Sequence, residues 1–353
     1  MMGRGLVMNI EYLLTDDCNL LCTHCIRGKK GSTQMPYDVA ITGLNKLINF
    51  FENVGIVLTG GEPTLYYRFE NILDFLIASE IGKIGICSNG TTDFFTLNRF
   101  EKYNASDLFF QISIDGNKDN NDKIRGAGTF ASSIESAKKL VTHGFRVSVS
   151  TTVTSSNLKS IHELGSILEE LNISCWKLSP IMPYGRARNW KGYVEPKIWN
   201  LFVKDLISKS KIPLSIKTMY DFDYLDSISD EKLAKFENYV KKHHTCNCGS
   251  GPNRLYVYPD MTVYPCTCAI LAFPFGNLIR DPMEQIMSCE NAQKIINYTL
   301  RADSPCQKCR YLKLCNGGCK GMSFQELGML GVGDVRCSRF KELSTASRYD
   351  VAR

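Results

Sequence analysis

Hydrophobic and polar positions follow two different periods in the first half of the chain. Six short apolar runs rich in Ile, Val and Phe predict strands over 9–14, 55–59, 83–87, 108–114, 146–153 and 175–181. Between them, apolar residues three and four apart, such as Leu44, Leu47, Ile48 and Phe51, predict helices. Six strand–helix units in series predict an α/β fold whose parallel sheet closes, or partly closes, as a barrel.

The length of this region limits the size of the barrel. Roughly 180 residues are short for an eight-stranded TIM barrel, which usually needs about 250. We therefore predict a partial, TIM-like (β/α)6 barrel. Loops after the carboxyl ends of such strands carry the active-site groups. A cysteine triplet follows the first predicted strand, Gly60 and Gly61 follow the second, Asn89 follows the third and Asp115 follows the fourth, all on one rim.

The second half of the chain has a different pattern. Residues 191–245 are mostly helical in pattern, with one strand-like run near 214–217, and residues 246–345 are dense in cysteine. This last region contains two strand-like runs around a turn at Pro259, Asp260 and Met261, which predict a hairpin. We predict three regions: a core over 1–190, a bridge over 191–245 and a cysteine-rich domain over 246–345.

Cysteine is the unusual feature of the composition, with 15 in 353 residues. No apolar segment is long enough for a secretory signal or a membrane span. Many cysteines without export predict metal or redox chemistry in a reducing cytoplasm rather than disulfides. The net charge of +6 is modest, and no basic face carries interleaved aromatics. We expect neither nucleic acid nor membrane as a partner.

The triplet Cys18, Cys22 and Cys25 has the spacing C-x3-C-x2-C. A four-iron cluster held by three cysteines keeps one iron open, so it can act on a substrate as well as pass electrons. A zinc site or buried structural cysteines are the alternatives. Placed after the first strand of a β/α series, with His24 before the third cysteine, the triplet resembles the signature of the radical S-adenosylmethionine (radical SAM) superfamily.

That resemblance implies a SAM site on the same rim. The run Gly60, Gly61, Glu62 and Pro63 resembles the family motif that holds the amino group of SAM, with a tight turn as the alternative. Further implied contacts are Ser113 with the ribose, Arg125 with the carboxylate and Asn89 at the lumen. For Ser113 and Arg125 the alternatives are a bulge serine and a surface arginine.

The C-terminal cysteines resemble the SPASM extension found behind many radical SAM cores. Cys306, Cys309, Cys315 and Cys319 are separated by two, five and three residues, and Cys337 follows. The resemblance implies two auxiliary [4Fe-4S] clusters, and a zinc ribbon is the alternative. One cluster would use Cys306, Cys309, Cys315 and Cys337; the other would use Cys319, Cys266, Cys248 and either Cys246 or Cys268. Met261 stands where relatives have a turn glycine.

The remaining thiols include one with a candidate catalytic role. Cys87 ends the third predicted strand near the implied SAM site. It is either a core residue or a donor of a hydrogen atom to a substrate radical. Cys268, if it holds no cluster, is the other candidate donor.

The resemblance implies a radical SAM oxidoreductase with SAM and three [4Fe-4S] clusters. Reductive cleavage of SAM would give a 5′-deoxyadenosyl radical, which takes a hydrogen from the substrate, and an auxiliary cluster would accept an electron. The leading hypothesis is a maturase that oxidatively modifies a ribosomally made precursor peptide, for example by a cross-link. Expected partners are an electron donor such as flavodoxin or ferredoxin and, because the core begins so early, a separate leader-binding protein unless the enzyme reads the leader itself.

Three alternatives remain at this level. A dehydrogenase or epimerase of a sugar or aminocyclitol usually has a shorter auxiliary region. A sulfatase-type maturase resembles this chain less, because relatives of that kind place Asp where this chain has Thr267. A non-enzymatic iron–sulfur or zinc scaffold would not need the motif at Gly60 and Gly61.

Overall fold

The computed structural model describes residues 7–28, 31–189, 192–216, 222–243, 253–267 and 273–344. The strands in this part of the chain are β1 (Met8–Thr15), β2 (Val54–Gly60), β3 (Lys83–Ser88), β4 (Leu108–Ser113), β5 (Arg146–Val153), β6 (Cys175–Pro180), β7 (Leu214–Ile216), β8 (Arg254–Val257), β9 (Thr262–Tyr264) and β10 (Gly276–Asn277). They form one sheet in the order β10-β9-β8-β1-β2-β3-β4-β5-β6-β7.

The helices lie between the strands in chain order or follow the last strand. They are α1 (Tyr37–Phe50), α2 (Phe69–Ala78), α3 (Asp93–Thr96), α4 (Lys118–Arg125), α5 (Thr129–Thr142), α6 (Ile161–Glu170), α7 (Pro196–Lys209), α8 (Phe222–Ser227), α9 (Asp230–His243), α10 (Met283–Ser288), α11 (Glu290–Ile296), α12 (Leu312–Cys315), α13 (Lys320–Leu327) and α14 (Ser338–Ser344). In the part of the chain described, no helix is long and apolar enough to cross a bilayer.

The predicted six-stranded parallel series is confirmed. Strands β1 to β6 lie side by side in chain order, and each neighbouring pair is parallel. Each predicted strand agrees with the observed one to within one or two residues at either end. The helix predicted from Leu44 and Leu47 is α1, and both side chains are fully buried.

The sheet extends beyond the six predicted strands at both sides. Strand β7, from the region predicted as a bridge, pairs in parallel with β6. The predicted hairpin is β8 and β9, and β8 pairs in parallel with β1. The hairpin therefore continues the core sheet, because β1 would otherwise leave a row of backbone groups unpaired.

The outer face of β1 carries apolar side chains, against which α1 packs. Ile10, Tyr12 and Leu14 are fully buried in the main hydrophobic core, and the Tyr12 hydroxyl donates to the backbone oxygen of Ala40 in α1. Successive side chains of a strand point to opposite faces. Glu11 therefore points to the inner face of the sheet.

The inner face is concave. The segment after β6 reaches the loop after β1, since the amide of Arg186 donates to Cys25 O and its Nη1 to Cys22 O, both at 3.0 Å. Strand β6 lies five positions from β1 in the sheet. On a flat sheet the two strands would be separated by about 24 Å, too far for these contacts. The sheet therefore curves around a lumen, as a partial barrel does.

Candidate active site

The loop 18–25 is shaped by short hydrogen bonds from its own residues. The amide of Asp17 donates to Thr15 Oγ1 (3.0 Å), and the amide of Cys18 donates to Asp17 Oδ1 (2.8 Å). The amide of Leu20 then approaches Cys18 Sγ at 3.4 Å. These contacts hold Cys18 directly behind the carboxyl end of β1, as the sequence predicted.

Gly60 and Gly61 bring the loop after β2 against the start of the cysteine loop. The amide of Gly61 donates to Thr15 O, and the amide of Glu62 donates to Asp17 O, both at 2.8 Å. A Cβ on either glycine would collide with the carbonyl oxygen of Thr15 or Asp17. In the structure, these glycines therefore serve the close approach of two loops of the chain itself.

Glu62 joins the loop after β2 to the carboxyl end of β3. Its side chain is 1% exposed. Its carboxylate accepts from the hydroxyls of Thr64 (2.6 Å) and Ser88 (2.8 Å) and from the backbone amide of Asn89 (2.8 Å). Burial raises the pKa of Glu62, and these donors only partly offset the effect. Both of its oxygens are already occupied by donors of the protein, so an amino group would have to share them.

Asn89 connects the loop after β3 to the cysteine loop. Its side-chain amide donates to Asn19 Oδ1 (2.9 Å), and its own oxygen accepts from Thr91. Asn19 lies in the triplet between Cys18 and Cys22. Asn89 therefore positions the cysteine loop, and it is buried rather than open to the lumen.

A buried ionic cluster fixes the other end of the cysteine loop. Asp115, fully buried after β4, lies 2.7 Å from His24 Nε2 and 2.6 Å from Arg125 Nε. Its second oxygen accepts from the amide of Thr152 at 2.7 Å. Burial by itself would raise the pKa of Asp115, but Arg125 and His24 outweigh it and hold that pKa well below the usual range. Asp115 is thus an anion that holds two cationic or polar side chains.

This cluster defines where two predicted SAM contacts lie. Arg125 lies in α4 with its side chain 10% exposed, and its Nε is paired with Asp115. It is therefore not a surface arginine, and it lies beside the triplet, since its neighbour Ile124 accepts from the amide of Thr23 at 2.9 Å. Ser113 is the last residue of β4 and pairs with Ser150. It is partly exposed at the rim.

A segment after β6 contacts the cysteine loop and the C-terminal region together. The amide of Arg186 donates to Cys25 O, and its Nη1 donates to Cys22 O, both at 3.0 Å. On the other side, Gln325 Nε2 donates to Pro183 O (2.6 Å) and Arg336 Nη1 to Met182 Sδ (2.9 Å). We call residues 182–188 the connecting segment.

The lumen contains a hydrogen-bonded chain of side chains. Lys177 Nζ donates to Gln111 Oε1 (2.7 Å), and Gln111 Nε2 donates to Cys87 Sγ (3.1 Å). Burial, and next the Glu11 carboxylate, raise the pKa of the Cys87 thiol far above its usual value. Cys87 is thus held as a protonated thiol on the inner face of β3.

Two cysteines predicted for one auxiliary set, Cys306 and Cys337, pack against the same hydrophobic cluster, and the amide of Cys309 donates to Cys306 O at 3.0 Å. Burial raises the pKa of Cys306 to about 12, and the neighbouring thiols of Cys337 and Cys309 add to the effect. Burial and the same thiols also raise the pKa of Cys315. Cys319, predicted for the other set, is buried in that same cluster, and its amide donates to Asp334 Oδ2 (3.1 Å). Cys246, Cys248 and Cys268 lie outside the described residues.

The donor set at the triplet suits an iron–sulfur cluster. Burial raises the pKa of Cys18 to about 11, with Cys22 and Cys25 close enough to add to the effect. Three neighbouring thiols are soft ligands of the kind that hold such clusters. His24 Nδ1 is buried beside them without a hydrogen-bond partner among the described residues. In the same residues, no three His, Cys, Asp or Glu side chains converge on a single ion.

Comparison with known proteins agrees with this site. Residues 12–165 match the model of the radical SAM superfamily. The chain therefore contains a radical SAM domain. Residues 229–310 match the model of SPASM, an iron–sulfur cluster-binding domain. The protein is therefore a radical SAM/SPASM enzyme, a class whose cofactors are SAM and iron–sulfur clusters.

Two curated relatives cover most of the chain. The antilisterial bacteriocin subtilosin biosynthesis protein AlbA of Bacillus subtilis (strain 168) is 26% identical over 326 residues, which are 90% of this chain and 68% of AlbA. The mycofactocin maturase MftC of Mycolicibacterium smegmatis is 27% identical over 328 residues, 89% of this chain and 78% of MftC.

A solved structure shares the fold. Streptococcus suis SuiB bound to its precursor peptide SuiA superposes with a TM-score of 0.75 at 16% identity, and the match covers 95% of this chain and 76% of SuiB.

Sequence reasoning missed three features of the site. It assigned no role to Asp115 or Arg186, and it did not connect Lys177 with Cys87. The sequence did contain a signal for Asp115, because this residue follows β4 on the same rim as the other site residues. Lys177 had one as well, because a lysine alternating with Trp176 and Leu178 in a buried strand faces the lumen.

Proposed function

We propose that this enzyme modifies a ribosomally made peptide by oxidation, forming a cross-link or a related bond. The observation that carries the proposal is the pairing of a cysteine triplet at the lumen rim with a C-terminal cysteine set joined to it by the connecting segment. The names of the relatives support the substrate class, since AlbA is a bacteriocin biosynthesis protein, MftC is a maturase and SuiB was solved with a precursor peptide.

The proposed ligand sets are those that the family resemblance implies. Cys18, Cys22 and Cys25 would hold the cluster that binds SAM. Cys306, Cys309, Cys315 and Cys337 would hold one auxiliary cluster, and Cys319, Cys266, Cys248 and either Cys246 or Cys268 the other. Bound at the triplet, the reduced cluster and SAM supply a 5′-deoxyadenosyl radical that can take a hydrogen from an unactivated carbon.

The protein's own groups would orient SAM and the peptide. Arg125, anchored by Asp115, offers a cation beside the triplet for the SAM carboxylate, and Ser113 is at the rim for the ribose. Backbone oxygens of the loop after β2 remain the simplest acceptors for the SAM amino group, because the Glu62 carboxylate is already occupied. The lumen, lined by Glu11, Gln111 and Lys177, would receive the peptide side chain.

The proposed setting follows from the cofactors. A one-electron donor of the flavodoxin or ferredoxin type would reduce the clusters. A separate leader-binding protein would present the peptide if the enzyme does not read the leader itself. We place this activity in the cytoplasm, since the twelve described cysteines are all free thiols and need a reducing compartment.

Cys87 is the basis of a second candidate function, the epimerisation of a residue. A protonated thiol on the inner face of β3 has the hydrogen that such a reaction returns to the substrate radical. Cys268 would be the alternative donor. Oxidation and epimerisation differ in mass balance, so one experiment separates them.

The test is co-expression with a short peptide encoded beside this chain, followed by mass spectrometry. Loss of two hydrogens from the peptide is expected, together with 5′-deoxyadenosine after anaerobic reduction with SAM. Three full clusters predict about twelve irons per chain. Cys18→Ala should abolish both products, and Cys87→Ala should leave the cross-link intact.

Other outcomes would change the assignment. An epimerase would leave the mass of the peptide unchanged in H2O and would add one deuterium to it in D2O. If that gain occurs only when Cys87 is present, it would establish the epimerase. Stoichiometric zinc in place of iron would contradict the proposal altogether.

A further inference from the structure

The connecting segment contacts the backbone of the cysteine triplet from the carboxyl end of β6. It follows β6, where Pro180 ends the strand, and contains a short 3₁₀ turn over Gly185–Asn189. Gly185 has φ +58, and a Cβ there would collide with the carbonyl oxygens of Cys25 and Ile26. The turn is therefore packed directly against the backbone of the triplet.

Arg186 makes two hydrogen bonds to that backbone. Its amide and its guanidinium reach the carbonyl oxygens of Cys25 and Cys22, both at 3.0 Å. These are the carbonyls of two of the three proposed ligands. The guanidinium keeps its positive charge at every pH at which the protein folds. Arg186 therefore adds a permanent cation and two donors next to the triplet.

The far end of the connecting segment is held by the C-terminal region. Gln325 Nε2 donates to Pro183 O (2.6 Å), and Arg336 Nη1 reaches Met182 Sδ (2.9 Å). Arg336 is itself paired with Asp334 at 2.6 Å, and Asp334 accepts from the amide of Cys319. A continuous series of contacts thus runs from a proposed auxiliary ligand to the backbone of the triplet.

We propose that Arg186 is a positioning residue that raises the reduction potential of the cluster at Cys18, Cys22 and Cys25. Reduction adds a negative charge to a cluster, and donors and cations around its ligands stabilise the reduced form. The contacts of Gln325 and Arg336 keep the guanidinium in place, so the C-terminal region contributes to the potential of a cluster it does not ligate. The inference rests on the part of the proposed function that places a cluster at the triplet.

The test is a redox titration of the anaerobically reconstituted full-length enzyme. The reporter is the EPR signal that changes when SAM is added, since this distinguishes the triplet cluster from the auxiliary ones. Arg186→Gln removes the charge and keeps a polar side chain of similar shape. At a fixed solution potential, we expect the ratio of reduced to oxidised triplet cluster to fall about tenfold, the size of one charge-assisted contact. Tenfold is about 59 mV for a one-electron couple.

Two further variants separate charge from packing. Arg188→Gln removes the same charge from an exposed position of the same turn, and it should leave the ratio within about twofold of the wild type. Arg186→Lys keeps the charge and should also stay within about threefold. If Arg186→Gln retains no cluster, Arg186→Lys alone decides, by holding its full iron content at a near wild-type potential.

The outcomes are distinguishable. An unchanged ratio in Arg186→Gln, an equal fall in Arg188→Gln, or a fall in Arg186→Lys as large as in Arg186→Gln would each overturn the inference. A wild-type enzyme without any SAM-responsive EPR signal would instead contradict the proposed function. The readout does not depend on turnover of the peptide.

Discussion

The carboxylate of Glu62 shows how much of the rim depends on single side chains. It accepts from groups of Thr64, Ser88 and Asn89, which belong to the loops after β2 and β3. The carboxylate thus replaces water as the partner of several buried donors, and each such donor is costly to leave unsatisfied.

Glu62→Gln puts an NH2 group where one of the two acceptor oxygens now lies. We expect the free energy of unfolding to fall by about 1–3 kcal/mol, because at least one buried donor loses its acceptor. Denaturant unfolding of the reconstituted enzyme under anaerobic conditions measures this. Glu52→Gln, on the exposed face before β2, is the matched control. Equal stability of the two variants would show that the rim tolerates the loss of one acceptor oxygen at Glu62.

At the same scale, the sequence identified residues better than it identified their contacts. Cys18, Glu62, Asn89 and Arg125 all lie on the predicted rim. Their partners came from loops far apart in the chain, and a single sequence contains no record of such distances. Glu62 is an example, since the sequence suggested its contact with an ammonium group but contained no sign of its hydrogen bonds to Ser88 and Asn89.

At the level of elements, two loops form one unit. The loop after β2 and the cysteine loop after β1 share backbone hydrogen bonds through Gly61 and Glu62. Glycine is needed because any side chain at Gly61 would overlap the backbone of Asp17.

Gly61→Ala should separate these loops and weaken the triplet site without affecting the C-terminal cysteines. We expect iron to fall by about four atoms per chain, the content of one cluster. Iron analysis and the SAM-responsive EPR signal measure the effect. Gly82→Ala is the control, because a Cβ there meets nothing within 4 Å. Full iron content in Gly61→Ala would show that the loops can part without loss of the cluster.

The elements themselves were predicted well for a physical reason. Parallel strands buried on both faces read as apolar runs, and amphipathic helices read as a repeat of three and four. Strand β7 was recognised as strand-like, but its three residues contain no sign of which strand it joins. Its place beside β6 follows from backbone pairing at an open edge.

At the scale of the whole molecule, the curvature of the sheet brings Glu11 into a lumen with several cations. Burial raises the pKa of Glu11, and Arg254, Arg27, Lys177 and Lys83 offset that only in part. A carboxyl group whose folded pKa lies above its unfolded value binds its proton more tightly in the folded state. The charged form therefore lowers the free energy of unfolding, and this loss grows as the pH rises from about 4.5 through the folded pKa.

Glu11→Gln removes this cost. The variant should unfold at a higher denaturant concentration than the wild type near pH 7, and the difference should shrink as the pH falls toward 5. Denaturant unfolding across this pH range checks it, again with Glu52→Gln for comparison. A variant less stable than the wild type at pH 7 would mean that the surrounding cations stabilise the charged carboxylate more than burial opposes it.

The amino-acid sequence by itself determined the parallel α/β core, the rim and the cysteine spacings. Hydrophobic period and ligand spacing are local properties, so they can be read along the chain. Only the tertiary structure decided that β8 continues the core sheet, that Asp115 holds His24 and Arg125, and that Arg186 joins the triplet to the C-terminal region. Each of these depends on distances between residues far apart in sequence, which are set when the sheet curves and its edges find partners.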